Sequence, residues 1–319
     1  MNPRLARPFA CLALIALAVA TGSCSINRFV ANQVGNSLAS GPDVYSSDND
    51  PELVRDAVPF GLKTMESLLA VVPKNRGLLL AACRGFTQYA YAFVQSDAEE
   101  AEATDHARAT ELDERALNLF VRARDYGLRD LEAGYKGVAR ELSVDPARAV
   151  KRFRVKDVPD LYWTAAAWGS AISLGKDRPD LIADLPAVRA MIERAVQLDE
   201  GFEGGALHEA MIVLDALPPA MGGSPEAAKR HFDRAVELSK GEHASPYLTY
   251  AESVSVMTQN RAEFHDLLEK ALAVDTGRDT TERLENIITQ RRARWLLSRE
   301  DDYFLDTGSP ADTTTKESH

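Results

Sequence analysis

The sequence predicts an all-α fold built from stacked helical hairpins. Three observations predict it. First, a short phrase is written three times, as Arg194-Ala-Val-Gln-Leu-Asp199, Arg234-Ala-Val-Glu-Leu-Ser239 and Lys270-Ala-Leu-Ala-Val-Asp275, with starts 40 and then 36 residues apart. A looser copy is Arg115-Ala-Leu-Asn-Leu119. Second, each copy closes a helical pattern and is followed by a turn. A basic residue, Ala, then Leu or Val at this period is how the second helix of a tetratricopeptide-like (TPR-like) hairpin ends. The Ala permits close helix approach, and one hairpin must stack on a neighbour to bury its apolar face. Third, runs of alternating β-branched residues bounded by turns are not found.

In chain order, residues 1–23 read as a lipoprotein signal peptide. Arg4 and Arg7 form a basic start, and the uncharged run Phe9–Ala20 is short for a spanning helix. Thr21-Gly22-Ser23-Cys24 then resembles a bacterial lipobox, with Thr21 where Leu is usual, so Cys24 is the expected lipidation site. Ser25, not Asp, follows Cys24, which is similar to the pattern of outer-membrane-directed lipoproteins. A tri-acylated Cys buries enough methylenes for stable anchoring. Of three cysteines, Cys11 leaves with the signal and Cys24 carries lipid, so Cys83 has no disulfide partner. It is expected in a helix core as a small hydrophobe.

Residues 24–49 read as a tether with a short apolar patch at Phe29-Val30. Residues 50–305 read as one TPR-like all-helical domain, and 306–319, rich in Asp, Thr, Gly, Ser and Pro, as a disordered tail. Asp50-Pro51 is an N-cap with Pro at the first helical position, and the helix it starts runs to about Val72. Leu78–Val94 follows with a single charge, Arg84, so it is buried on nearly all sides. Asp97–Tyr126 reads as one long amphipathic helix ended by Gly127, with another helix over Leu128–Leu142. Asp145-Pro146 caps a short helix through Phe153.

Asp157-Val-Pro-Asp160 starts the helix Leu161–Leu174, which has no charge. Trp163, Ala167, Ala171 and Leu174 share one of its faces, and Leu161, Trp168 and Ile172 another. A helix apolar on two faces lies in the middle of a bundle, and Gly175 ends it. Three hairpins follow: Leu185–Leu198 with Ala206–Leu217, Pro225–Leu238 with Pro246–Met257, and Ala262–Val274 with Glu282–Ser298.

The formal charge is −11, and it becomes −13 once residues 1–23, with Arg4, Arg7 and no acid, are removed. That argues against nucleic acid or anionic lipid headgroups as the main partner. It fits a protein partner carrying a complementary basic patch. The six His show no metal-binding helical spacing. His208-Glu209 has no second His four residues on, and no P-loop, dinucleotide fingerprint or G-x-S-x-G elbow is present. Catalytic residues, metal sites and cofactors are therefore not expected, and the Asp and Glu pairs read as solvated helix faces. Two polar features stand out. Arg291 falls within about 60° of Leu284, Ile287, Ile288 and Trp295 on a helical wheel, inside an apolar stripe. There it is expected to pair with a core carboxylate or helix-end carbonyls, or to bind an anion or face a partner. Arg84 raises the same question. Tyr162, Trp163 and Trp168 are expected to pack the core or to line a cavity for an apolar ligand.

Together these stretches resemble a known family: the lipobox, Leu161-Tyr-Trp-Thr-Ala-Ala-Ala-Trp168, Pro219-Ala-Met-Gly-Gly-Ser-Pro-Glu-Ala-Ala228 with His231-Phe232, and Leu284-x-Asn286 leading to Arg291-Arg-Ala-x-Trp295-Leu-Leu297. They are similar to the TatT family, the T component of TRAP (tripartite ATP-independent periplasmic) transporters, over about residues 24–305. The resemblance implies a periplasmic lipoprotein of TPR-like helices that forms a homotrimer with a channel through each protomer. It also implies a docked TRAP solute-binding protein, the P component, and the handling of a hydrophobic or organic-acid ligand. Candidate ligand residues are Tyr162, Trp163, Trp168, Arg84 and Arg291. Two alternatives stay open from the sequence: a lipid-anchored repeat scaffold for another envelope assembly machine, and a hydrolase hidden in a helical fold.

Overall fold

The structure, a computed structural model of the chain, describes residues 28–37 and 44–305. The signal peptide, Cys24 and the predicted tail 306–319 lie outside the described residues. The described residues are helical with no strand, so the fold is all-α. They group into two compact units that divide between Phe202 and Glu203.

The first unit opens with α1 over 28–37, inside the stretch read as a tether. Its small residues explain the difference. Ala31 is buried, and Gly35 lies so close to Leu78 that a Cβ there would stand 2.8 Å from Leu78 Cγ. Then come α2 (Pro51–Val71), α3 (Arg76–Tyr89), α4 (Ser96–Glu102), α5 (His106–Gly134), α6 (Val138–Val144), α7 (Pro146–Ala149), α8 (Val158–Leu174), α9 (Pro179–Ile182) and α10 (Leu185–Leu198). Asp50 caps α2 as expected, accepting from the backbone of Glu52 and Leu53. A π-turn over Ala90–Gln95 carries α3 onward, so the helix read over Leu78–Val94 is present.

The long helix is displaced from its predicted span. Thr104 and Asp105 break the chain, and Asp105 caps α5. Gly127 does not end α5; it is buried inside it. A Cβ on Gly127 would meet Thr164 Cβ at 2.9 Å and Cys83 Sγ at 3.0 Å. The glycine therefore lets α5 cross α8 and α3 at close range. The chain turns only at Tyr135–Gly137, where Gly137 takes φ 83°. The core of this unit joins Leu62, Leu69, Leu78, Leu79, Phe86, Ala123 and Trp163. Cys83 is fully buried in it, as the lone cysteine was expected to be.

The second unit holds α11 (Ala206–Asp215), α12 (Pro225–Leu238), α13 (Ser245–Tyr250), α14 (Arg261–Leu272) and α15 (Arg283–Ser298). A π-turn over Ala251–Ser255 prolongs α13. In this unit α12 packs on α13 and α14 on α15, the pairs that the hairpin pattern predicted, while α11 packs on α12. Its core gathers Ile212, Leu248, Val254, Phe264, Leu268 and Leu296. The alanines of the repeated phrase, Ala116, Ala195, Ala235 and Ala271, are all fully buried.

Candidate functional site

Helix α8 is buried on nearly every side because it carries no charge after its first turn. Trp163 is 8% exposed and Trp168 is 2% exposed. Three of the predicted residues meet. The Arg84 guanidinium lies 5.4 Å from the Trp163 ring centroid, a cation–π distance. Tyr162 meets Trp163 edge-on at 4.9 Å. Phe202 extends the patch, 5.4 Å from Tyr162. Arg84 and Tyr162 keep partial exposure, so the group reaches from the core to the surface.

Trp168 stands apart, since five residues further along a helix is more than a turn on. Its ring lies under Arg124 at 5.7 Å. The buried indole N–H makes no hydrogen bond of ordinary geometry. The Asp184 carboxyl is close enough to gain from it, although burial outweighs that gain and pushes Asp184 up.

Arg291 is corrected by the structure: it is exposed. The buried face of α15 is Asn286, Thr289, Gln290, Ala293 and Leu296, turned away from the expected stripe. Amide side chains dock this helix. Gln290 Nε2 donates to the carbonyls of Ala271 (3.2 Å), Leu272 (3.1 Å) and Val274 (2.8 Å), where α14 ends. Asn286 Oδ1 accepts from the Ala244 N–H at 2.8 Å, and its Nδ2 donates to the Glu242 carbonyl at 3.0 Å. The neighbouring Arg292 makes a half-buried ion pair with Glu252 at 2.6 Å.

The structure also assembles polar groups that the sequence reading left on solvated faces. Asp130 of α5 and Asp157 and Asp160 at the start of α8 are all buried, at 0, 0 and 6% exposure. Arg76, the first residue of α3, joins them. Its Nε lies 2.9 Å from Asp130 Oδ1, and its Nη2 3.2 Å from Asp160 Oδ1 and 4.0 Å from Asp157 Oδ1. Gly134 makes room, because a Cβ there would stand 3.2 Å from Arg76 Cζ. Tyr135 Oη and the Arg154 N–H both donate to Asp157 Oδ2.

Three acids face one guanidinium, so the cluster must hold a proton or carry excess charge. Burial, a hydrogen bond with Asp130 and the charges of Asp130 and Asp157 push the Asp160 carboxyl up to about 8, against the pull of Arg76. The arrangement favours a proton held on Asp160 against Asp130, with Arg76 as the counter-charge. One signal for it lies in the sequence. Asp130 follows Ala116 and Ala123 by whole heptads, on the small-residue face that α5 buries.

The second unit has two further polar groups. Glu209 as a whole is half-buried, but its carboxyl is enclosed. It accepts from Ser245 Oγ at 2.8 Å and Thr249 Oγ1 at 2.7 Å. Burial and the charges of Glu285 and Glu282 push it up to about 7. His208 and His231, which no spacing linked, meet Nδ1 to Nδ1 at 2.7 Å, and His231 Nε2 lies 3.7 Å from Asp215. Among the described residues, no group of three or more His, Cys, Asp or Glu has the geometry of a metal site, and no helix is long and apolar enough to cross a membrane.

Comparison with known proteins gives two matches. A family model described as "TAtT: TRAP transporter T-component" matches residues 47–304, which includes every element from α2 to α15. The chain is also 31% identical over 318 residues to an uncharacterized protein of Treponema pallidum (strain Nichols), covering 93% of this chain and 97% of that one.

Proposed function

Since the chain belongs to the TRAP transporter T-component family, we propose that it is the lipid-anchored accessory subunit that presents a solute-binding protein, the P component, at the periplasmic side of the membrane. The observation that carries this is the extent of the family match, residues 47–304, which takes in both compact units. Cys24 holds the chain at the membrane, with the outer membrane as the expected site because Ser25 follows it. The molecule works as a homotrimer of TPR-like protomers. A hydrophobic or organic-acid ligand passes along the path that Arg84 and Tyr162 open from the surface to the buried Trp163: the rings take its apolar part and the guanidinium its carboxylate. Trp168 and Arg291, the other two ligand candidates, stand outside that group, Trp168 buried on another face of α8 and Arg291 exposed on α15.

The test is cross-linking in intact cells, followed by recovery of this chain from envelope extracts and identification of its partners by mass. A TRAP solute-binding protein as the dominant partner is the expected result. Recovery of secretin or barrel-assembly proteins in its place would overturn the transporter assignment.

A further inference from the structure

Helix α5 carries an arginine ladder. Arg108, Arg115, Arg122 and Arg129 recur every seven residues, and all four are exposed. Seven residues advance an α-helix by about 10 Å and drift only about 20° around it. The four guanidinium groups therefore follow one stripe about 30 Å long. On a molecule of formal charge −11, these rungs form a basic stripe with the exposed acids Glu111, Glu114 and Asp125 along its edge.

Their partners leave most of that charge available. Arg108 pairs with Glu111 at 3.1 Å within the stripe. The next three are ordered by aromatic rings. Arg115 reaches the Tyr89 hydroxyl at 3.5 Å. Arg122 lies 5.4 Å from the Phe86 centroid, and Arg129 5.2 Å from that of Tyr126 while donating to the Pro73 carbonyl at 3.2 Å. Phe86 and Tyr126 stack on each other at 5.9 Å. Of these three arginines, Arg122 approaches a carboxylate, Glu66 at 3.6 Å, and Glu66 is already bonded to Lys63 and Tyr126. Rings and neutral acceptors fix the guanidinium planes in advance, so little side-chain freedom is lost on binding. Between Arg115 and Arg122 lies a shallow depression of about 360 Å³ that includes Leu119 and Asn118, with Glu111 and Glu114 on its acidic side.

We infer that this stripe docks an acidic helical segment of a protein partner. A small anion spans one rung, not three. A bilayer surface needs side chains free to project, whereas these lie against the rings of α3 and α5. A helix with carboxylates at the same seven-residue period matches the ladder rung for rung, with an apolar side chain over Leu119. The overall negative charge, which by itself calls for a basic partner, does not describe this face. The inference does not depend on which protein supplies the helix.

The test uses the full chain in detergent and a fluorescein-labelled helical peptide with Glu at seven-residue spacing, read by anisotropy. Binding is expected to saturate and to weaken about tenfold or more as salt rises from low to several times physiological strength. A variant with Arg115→Gln, Arg122→Gln and Arg129→Gln is expected to lose binding by at least about tenfold. A variant of equal charge, Arg230→Gln with Arg278→Gln and Arg294→Gln, is expected to keep it. Arg115→Gln alone, which gives up one long contact, covers the case in which the triple variant fails to fold. Equal loss in both triple variants, equal binding of a Gln-for-Glu peptide, or phosphatidylglycerol vesicles binding through these arginines where the peptide does not would each overturn the inference. So would self-association of the chain that the ladder variant abolishes.

Discussion

Thr164 fills the space that a Cβ on Gly127 would need, and Cys83 Sγ stands only 3.0 Å from that same point. Neither Thr164 nor Cys83 can move aside freely. Thr164 is fully buried and its hydroxyl donates to the Asp160 carbonyl at 2.6 Å, while Cys83 is fully buried in α3. Gly127→Ala is therefore expected to destabilise the chain by about 2–3 kcal/mol, the usual cost of overpacking a filled core. Gly169→Ala is the contrasting case, because its nearest neighbour would be Val188 Cγ1 at an ordinary 3.5 Å. That substitution is expected to stabilise by about 0.5–1 kcal/mol, the helix-interior difference between Gly and Ala. Urea denaturation of the two variants checks both signs.

The acid cluster makes stability depend on pH. Asp160 has its carboxyl raised from an ordinary 3.8 to about 8 by burial, Asp130 and Asp157. A raised carboxyl means the folded chain binds more protons than the unfolded chain between those values, so stability falls as pH rises from about 4 to about 8 and then levels. Asp160→Asn keeps the neutral form at every pH. Its melting temperature relative to the parent is expected to climb across that window. A constant difference from pH 4 to pH 8 would show that Asp160 does not hold the proton.

Arg76 is the counter-charge in the same cluster. Arg76→Ala is expected to cost about 2 kcal/mol at neutral pH, less than a fully buried pair would lose, because the arginine side chain is 36% exposed and partly screened. Its loss is expected to be smaller at pH 5 than at pH 8, since the acids it leaves behind can then take up protons. Thermal melts at the two pH values check this.

Gln290 is buried on α15 where Arg291, expected in the core, is exposed. Gln290→Ala leaves the carbonyls of Ala271, Leu272 and Val274 without their side-chain donor and is expected to cost about 1–3 kcal/mol. Arg291→Ala, at an exposed position, is expected to stay within about 0.5 kcal/mol of the parent. Denaturant midpoints of the two variants, measured side by side, decide it.

The proposed lipid anchor makes a separate prediction. Cys24→Ser is expected to move the protein from the membrane fraction to the soluble fraction. Equal membrane retention of the two forms would remove Cys24 as the anchor.

Much of the fold was legible in the sequence because it is written in short-range chemistry. Asp50, Pro51 and Asp145-Pro146 mark helix starts, and the repeated Arg-Ala phrase marks buried alanines. Gly127 misled because a glycine reads as a stop, whereas here it serves a crossing with Thr164, 37 positions away in the chain. Arg291 misled for a related reason. Hydrophobic patterning scores Asn286 and Gln290 as surface, yet backbone carbonyls from a distant turn make them core residues. The site followed the same rule. The meeting of Arg84, Tyr162 and Trp163 came from residues already picked out, but the gathering of Arg76, Asp130, Asp157 and Asp160 depends on three helices converging, which no local pattern encodes.

The central claim is that this T component binds a TRAP solute-binding protein. The most direct measurement is sedimentation velocity of the purified chain mixed with the solute-binding protein from the same genome, at low and at physiological salt. A faster-sedimenting complex at both, weaker at the higher salt because exposed charges are screened within about 8 Å, is the predicted result. Two species sedimenting independently at both salt concentrations would contradict it.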